Sequence, residues 1–215
     1  MNKQYILFDL DGTITNSAEG IINCVRYALQ KMKWQEPSLK VLHRFIGPPL
    51  VDAFMDYCGM DKVEAEKAVA NYRERYKDIG VFECSLYDEI EGVLKTLKYA
   101  NKTIILATAK PLVFAKKVIE HFSLSQYFSD LVGAEIGGTL LHKHQIIDEV
   151  IKRFNITDRS KAIMVGDREQ DISGAKMFSL DSIGVKYGFA EPNELEDAGA
   201  TYIAETPSDI LKILL

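Results

Sequence analysis

Apolar residues fall into short continuous blocks at 5–8 (YILF), 103–107 (TIILA), 131–132, 162–165 (AIMV) and 182–185 (SIGV), with a weaker block at 202–204. Continuous runs of this length, rather than alternating ones, are the pattern of strands buried on both faces of a parallel sheet. Between the blocks, apolar residues recur at helical spacing over 89–99, 112–122, 143–154 and 169–178, and again over 207–214, where Thr206 opens the segment. Alternation of strand and helix from residue 85 onward predicts an α/β fold, a doubly wound parallel sheet with right-handed crossovers.

Residues 16–80 break that rhythm. Their apolar spacing is helical throughout, over 17–33, 38–45, 50–57 and 61–79, and Gly47, Pro48 and Pro49 punctuate the middle. Ser17 stands where an N-cap is expected, ahead of Ile21, Ile22, Val25, Ala28, Leu29 and Met32. The expected organisation is a core made of 1–15 and 81–215, with a four-helix cap at 16–80 inserted after the first strand. No internal repeat or low-complexity segment interrupts it.

Composition narrows the function. The chain has 215 residues, enough for one core with an accessory unit, and 26 basic against 31 acidic side chains give a formal charge of −5. No basic cluster offsets that charge, so no nucleic-acid partner is expected and an anionic substrate must be held by local groups. No stretch approaches the ~20 apolar residues that cross a bilayer, and the first aspartate arrives before a signal-peptide run accumulates. Cys24, Cys58 and Cys84 are scattered, odd in number and match no metal spacing. A cytoplasmic protein without a membrane partner is expected, as monomer or homodimer.

The strand ends carry the chemistry. In open α/β sheets ligands bind outside the carboxyl ends of the strands. The first strand ends FDLDGT, the second LATAK and the fourth VGDREQD, while Lys143 opens the helix before the fourth. Asp9, Asp11, Thr108, Lys143, Asp167 and Asp171 are thereby expected at one rim. Asp9 and Asp11, two residues apart, point to the same side of extended backbone and must take different roles. Four converging carboxylates call for a hard divalent cation with oxygen ligands. A lone D-x-D is as well explained by a turn; the full D-x-D-G-T string arises by chance in about one chain of this length in a few hundred, at roughly 5–7% usage per residue type.

In this order, FDLDGT, the strand ending at Thr108, Lys143 and GDREQD resemble the four signature motifs of the haloacid dehalogenase (HAD) superfamily. The resemblance spans essentially the whole chain, and residues 16–80 are similar to that superfamily's helical cap over a Rossmann-like core. It implies a phosphatase that uses Mg²⁺ and hydrolyses a small phosphorylated metabolite through an aspartyl-phosphate. Asp9 would be the nucleophile and Asp11 the acid and base. Asp9, the Asp11 main-chain carbonyl and Asp167 would hold the metal, with Asp171 orienting metal waters or Lys143. Thr108, Lys143 and backbone N–H groups near Asp11 and Ala109 would hold phosphoryl oxygens. Lys143 is preferred for the neutralising lysine because it precedes the Ile146–Ile147–Val150–Ile151 face, with Lys110 and Arg168 as alternatives for phosphate or substrate binding. By the same resemblance Arg44 and the Gly47 turn face the rim as substrate contacts.

The chain is most similar to the phosphoglycolate phosphatase group, in a branch whose Gly-Pro-Pro-Leu turn goes with the 5′-nucleotidase label. A glycolate carboxylate would want Arg44; a nucleobase would want Phe45, Phe54 or Tyr57. Asp11 argues against dehalogenation, and the absence of a histidine in 16–21 against a phosphomutase. A phospho-accepting receiver-like signalling module is the alternative from another class. His43, His121, His142 and His144 lack acidic or cysteine partners at ligand spacing and are read as solvated or packed. Gly137–Gly138 is read as a turn.

Overall fold

The apolar blocks form six parallel strands in the computed structural model, which describes residues 2–215. They are β1 (Tyr5–Phe8), β4 (Thr103–Pro111), β5 (Asp130–Ala134), β6 (Ala162–Gly166), β7 (Asp181–Val185) and β8 (Tyr202–Ala204). Their order is β5-β4-β1-β6-β7-β8. Counted along the chain, this is 3-2-1-4-5-6, the Rossmann order, and it reverses direction between β1 and β6. Tyr5 pairs with both Thr103 and Ala162, and Phe8 with Leu106 and Val165, so β1 is central and hydrogen-bonded on both sides.

Successive residues of these strands leave on opposite faces, which explains why the blocks are apolar throughout. Leu7, Ile105, Ala107 and Met164 pack with Ile146, Ile147, Val150 and Ile151 of α7 (Lys143–Arg153) and Ala175 of α8 (Glu169–Met177). Ile6, Phe8, Ile104, Leu106, Ile163 and Val165 belong to the opposite layer, with α5 (Ile90–Tyr99), α6 (Leu112–His121) and α10 (Pro207–Leu214). A short α9 (Glu194–Asp197) precedes β8.

Between β1 and β4 the chain forms α1 (Ala18–Lys31), α2 (Leu39–His43), α3 (Leu50–Cys58) and α4 (Lys62–Tyr76). A capping box opens α4: the Asp61 carboxylate accepts from Glu64 N, and the Glu64 carboxylate accepts from Asp61 N. Ser17 does not cap α1 by its side chain; its backbone lies outside extended geometry, and Asn16 Oδ1 accepts from Ala18 N instead. Where the chain leaves and re-enters the sheet layer, β2 (Thr15–Asn16) and β3 (Ser85–Leu86) form an antiparallel two-residue ribbon. Two strands of two residues carry too little periodicity to be read from sequence.

No helix among the described residues is long and apolar enough to cross a membrane. All three cysteines are free.

Candidate active site

The switch point between β1 and β6 sets the site. Asp9 leaves the carboxyl end of β1 and Asp167 that of β6, while Asp171 sits in the first turn of α8. The Asp9 N–H donates to Val165 O at 2.9 Å, so the sheet ladder itself fixes the backbone at that aspartate. All three carboxylates are buried, and each offers an oxygen within 4.8 Å of the others.

Lys143, also buried, opens α7 and reaches into this group. Its Nζ lies 2.7 Å from Asp9 Oδ1 and 2.8 Å from Asp171 Oδ1, and donates to the Ala107 carbonyl at 3.0 Å. Burial works against the ammonium charge, but the Asp171 and Asp9 carboxylates outweigh it and hold the lysine above its ordinary value. Asp167 is pushed well above the usual carboxylate range, first by burial and then by Asp171 and Asp9. Asp171 is raised to about 6, chiefly by burial, with Lys143 pulling the other way.

Three carboxylates against one shared lysine leave an excess of buried negative charge, which is unfavourable without a counter-ion. Asp9 Oδ1 and Asp171 Oδ1 are buried and accept no hydrogen bond of good geometry beyond the ion pairing. An all-oxygen donor set with unused lone pairs and excess charge fits a hard divalent cation such as Mg²⁺. The outer side of Asp167 is already orientated: Oδ1 accepts from Thr13 Oγ1 at 3.2 Å and Oδ2 from Phe189 N at 2.8 Å. Gly12 makes this approach possible. It has φ +85°, and a Cβ there would stand 2.0 Å from Asp167 Oδ2.

The end of β4 is irregular. Thr108 pairs with Gly133, but the next pairing is Pro111 with Ala134, so Ala109 and Lys110 bulge out of the ladder. Bulges beside sites re-aim side chains. Here Thr108 is buried, its Oγ1 accepts from Lys110 N at 3.2 Å, and Ala109 lines the pocket above Asp9.

Lys110 turns away from that pocket. Its Nζ donates to both oxygens of Asp11, at 2.8 and 2.6 Å, and lies 5.1 Å from the ring centroid of Tyr76 in α4. Lys110, expected among the substrate contacts, does not line the pocket, and its charge is engaged by Asp11. The Asp11 side chain correspondingly stays outside the trio of Asp9, Asp167 and Asp171.

Arg44 is likewise displaced from its expected place. It is exposed, with its guanidinium 4.5 Å over the Tyr57 ring, and does not line the pocket. Arg168 is the cation that meets the Gly47 turn, donating to Ile46 O at 2.6 Å and to Glu194 Oε1 at 2.8 Å. Gly47 does line the pocket; its φ is +111°, and a Cβ would lie 3.2 Å from Arg168 Cγ. Phe45 and Phe54, expected as ring surfaces for a base, are buried and packed edge to face at 5.0 Å.

The pocket over Asp9 has a volume of about 250 Å³, with the Gly47, Pro48 and Pro49 turn above it and Lys143 and Asp171 beside it. It also takes in His142 and His144, expected from the sequence as solvated or packed, and Gln170 and Met177 of α8. The available signal was positional: both histidines flank Lys143, and 170 and 177 lie two helical turns apart on one face.

Comparison with known proteins agrees with this architecture. A 5′-nucleotidase of Pseudomonas aeruginosa is 37% identical over 97% of this chain and 94% of its own length. A phosphoglycolate phosphatase of Colwellia psychrerythraea is 25% identical over 97% and 96%. The crystal structure of a predicted phosphatase from Clostridium acetobutylicum superposes with a TM-score of 0.94 at 43% identity, covering 99% of this chain and 98% of that one. The haloacid dehalogenase-like hydrolase profile matches residues 6–185. With that match running from the first strand to the end of β7, the chain belongs to the haloacid dehalogenase-like hydrolases and is an enzyme of that family.

Proposed function

We propose that this enzyme is a phosphatase that cleaves small phosphomonoesters through a phosphorylated Asp9. The observation that carries this reading is the buried Asp9 carboxylate beside the Lys143 ammonium at 2.7 Å, at the carboxyl end of the central strand. A carboxylate can attack a phosphate dianion only where charge has been neutralised and the reactants are positioned. Asp9 forms a bond to phosphorus as the ester P–O bond breaks, giving an acyl phosphate. Asp11 gives a proton to the departing oxygen, then takes one from the water that cleaves the acyl phosphate and regenerates Asp9. Since Lys110 engages Asp11 in the resting protein, Asp11 turns from that lysine to deliver its proton. Thr108, Lys143 and the Ala109 N–H hold the phosphoryl oxygens. A Mg²⁺ ion held by Asp9, Asp167 and the Asp11 carbonyl, with Asp171 beside it, would supply charge neutralisation at the transferring phosphoryl group.

The same reading divides the chain into a core of 1–15 and 81–215 and a helical cap at 16–80, hinged at the β2–β3 ribbon, in a cytoplasmic enzyme. Of the two substrate classes, nucleoside 5′-monophosphates are favoured over phosphoglycolate. The two non-histidine cations lining the pocket, Lys143 and Arg168, are both engaged, leaving neither for a glycolate carboxylate. The test is turnover of p-nitrophenyl phosphate with Mg²⁺, followed by a panel of phosphorylated metabolites. Multiple turnovers with AMP ahead of phosphoglycolate are expected. One stable phosphorylation per chain would mean a receiver-like module and overturn the reading.

A further inference from the structure

The pocket over Asp9 extends between the start of α7 and α8, and this part has a character of its own. On one side stand His142 and His144, whose rings are parallel to within 5° at a centroid separation of 5.8 Å. Their backbone is fixed, because Gln145 Oε1 accepts from the N–H groups of both Leu141 and His142 at 2.9 Å. On the other side stand Gln170 and Met177 of α8. Met177 is 66% exposed, a large apolar side chain left open to water at the pocket mouth. Gln170 Oε1 is buried without a hydrogen-bond partner. Pro48 and Pro49 lie above.

Flat rings, a polarizable thioether, two prolines and an unsatisfied amide oxygen are suited to an uncharged, planar, nitrogen-bearing group. That oxygen is closed off from solvent, and a ring N–H or exocyclic amine would satisfy it once the Gln170 amide turns toward the pocket. The cap aromatics cannot do this work, since Phe45 and Phe54 are fully packed and Arg44 covers Tyr57.

We infer that the space between His142/His144 and the Gln170/Met177 face of α8 is a leaving-group subsite that seats the nucleobase of a nucleoside monophosphate. It places base recognition on the core, where the cap was expected to provide it. The inference rests on the phosphatase reading for why a base comes there, but its binding test is independent of turnover.

The experiment compares kcat/KM for AMP and ribose 5-phosphate, which differ by the base at C1′, in wild type, His142→Ala, His144→Ala and the double variant His142→Ala/His144→Ala. Base–aromatic contacts make AMP the better substrate by about 10-fold or more in wild type. Each histidine variant shrinks that ratio, and the double variant brings it close to about one. In parallel, adenosine is titrated against the folded protein with Mg²⁺ and orthophosphate, following the imidazole proton signals of His142 and His144 by NMR. Saturable shifts confined to those two histidines support the subsite. An unaltered AMP to ribose 5-phosphate ratio in the double variant overturns it and leaves the phosphatase standing. Absence of adenosine-induced shifts overturns it whether or not the enzyme turns over, whereas adenosine shifts in a protein inert toward every phosphomonoester would keep the subsite and defeat the phosphatase.

Discussion

Lys110 Nζ holds both carboxylate oxygens of Asp11, at 2.6 and 2.8 Å, while lying 5.1 Å from the centroid of Tyr76. Asp11 follows β1, Lys110 lies in the bulged end of β4 and Tyr76 closes α4, so one ammonium joins three elements. Burial opposes its charge, yet Asp11 and the surrounding groups keep the lysine above its ordinary value. Removing one member of a buried pair leaves the other charge uncompensated, at about 3–5 kcal/mol. Lys110→Met should therefore lower Tm measurably. It should also slow alkyl phosphates more than p-nitrophenyl phosphate, whose leaving group needs no proton from a misplaced Asp11. Equal effects on the two substrates would separate Lys110 from the acid–base step.

Asp9 gives the sharpest catalytic test. Asp9→Asn removes the nucleophile but keeps size and most hydrogen-bonding capacity, and should abolish turnover while circular dichroism stays native. Asp11→Asn should cost roughly 10²–10⁴-fold, the usual contribution of one acid–base group. Wild-type activity in Asp9→Asn would contradict the mechanism outright.

The contrast between Asp9 and Arg44 shows what the sequence could and could not convey. Asp9, Asp167 and Asp171 were legible because backbone topology places them: Asp9 and Asp167 each follow directly where an apolar strand stops, and Asp171 lies in the first turn of the helix after β6. Lys143 was legible for the same reason, as the residue that opens a helix packed under the switch point. The side chains of Arg44 and Lys110 were not. Each has long rotatable stems, and its direction depends on partners, Tyr57 and Asp11, contributed by elements the pattern cannot orient. The β2–β3 ribbon and the two-residue bulge at Ala109–Lys110 escaped because they lack periodicity. His142 and His144 were judged as metal ligands and set aside on that ground, although a pocket wall asks only for place and shape.

Metal and pH should act together on stability. Asp171 is raised to about 6 from 3.8, so between these values the folded chain binds more protons than the unfolded one. The stability contributed by this group therefore falls as pH rises through that window. A cation held at Asp9 and Asp167, with Asp171 beside it, would offset the loss, and protons would compete with it at low pH. The Mg²⁺-induced rise in Tm should be larger at about pH 7.5 than at about pH 5. EDTA should eliminate activity and Mg²⁺ restore it, whereas Ca²⁺ should not, because its longer bonds and higher coordination spoil the alignment of Asp9. Full activity in excess EDTA, with metal analysis finding none retained, would remove the cation from the mechanism.

Arg44 provides the last test, in which little should happen. A guanidinium over the half-buried Tyr57 ring contributes about 0.5–1 kcal/mol to local packing and nothing to a pocket it does not line. Arg44→Ala should leave the ratio of kcat/KM for AMP over phosphoglycolate within about 2-fold of wild type, an effect smaller than loss of one hydrogen bond. Arg168→Ala should behave differently. It removes the donor to Ile46 O and the partner of Glu194, which also caps Glu169 N at 2.8 Å. The Gly47 turn then loses its tether to the core, and KM should rise for AMP and phosphoglycolate alike. A selective loss of phosphoglycolate turnover in Arg44→Ala would show that the side chain swings inward to meet a carboxylate, and would return the acid substrate to first place.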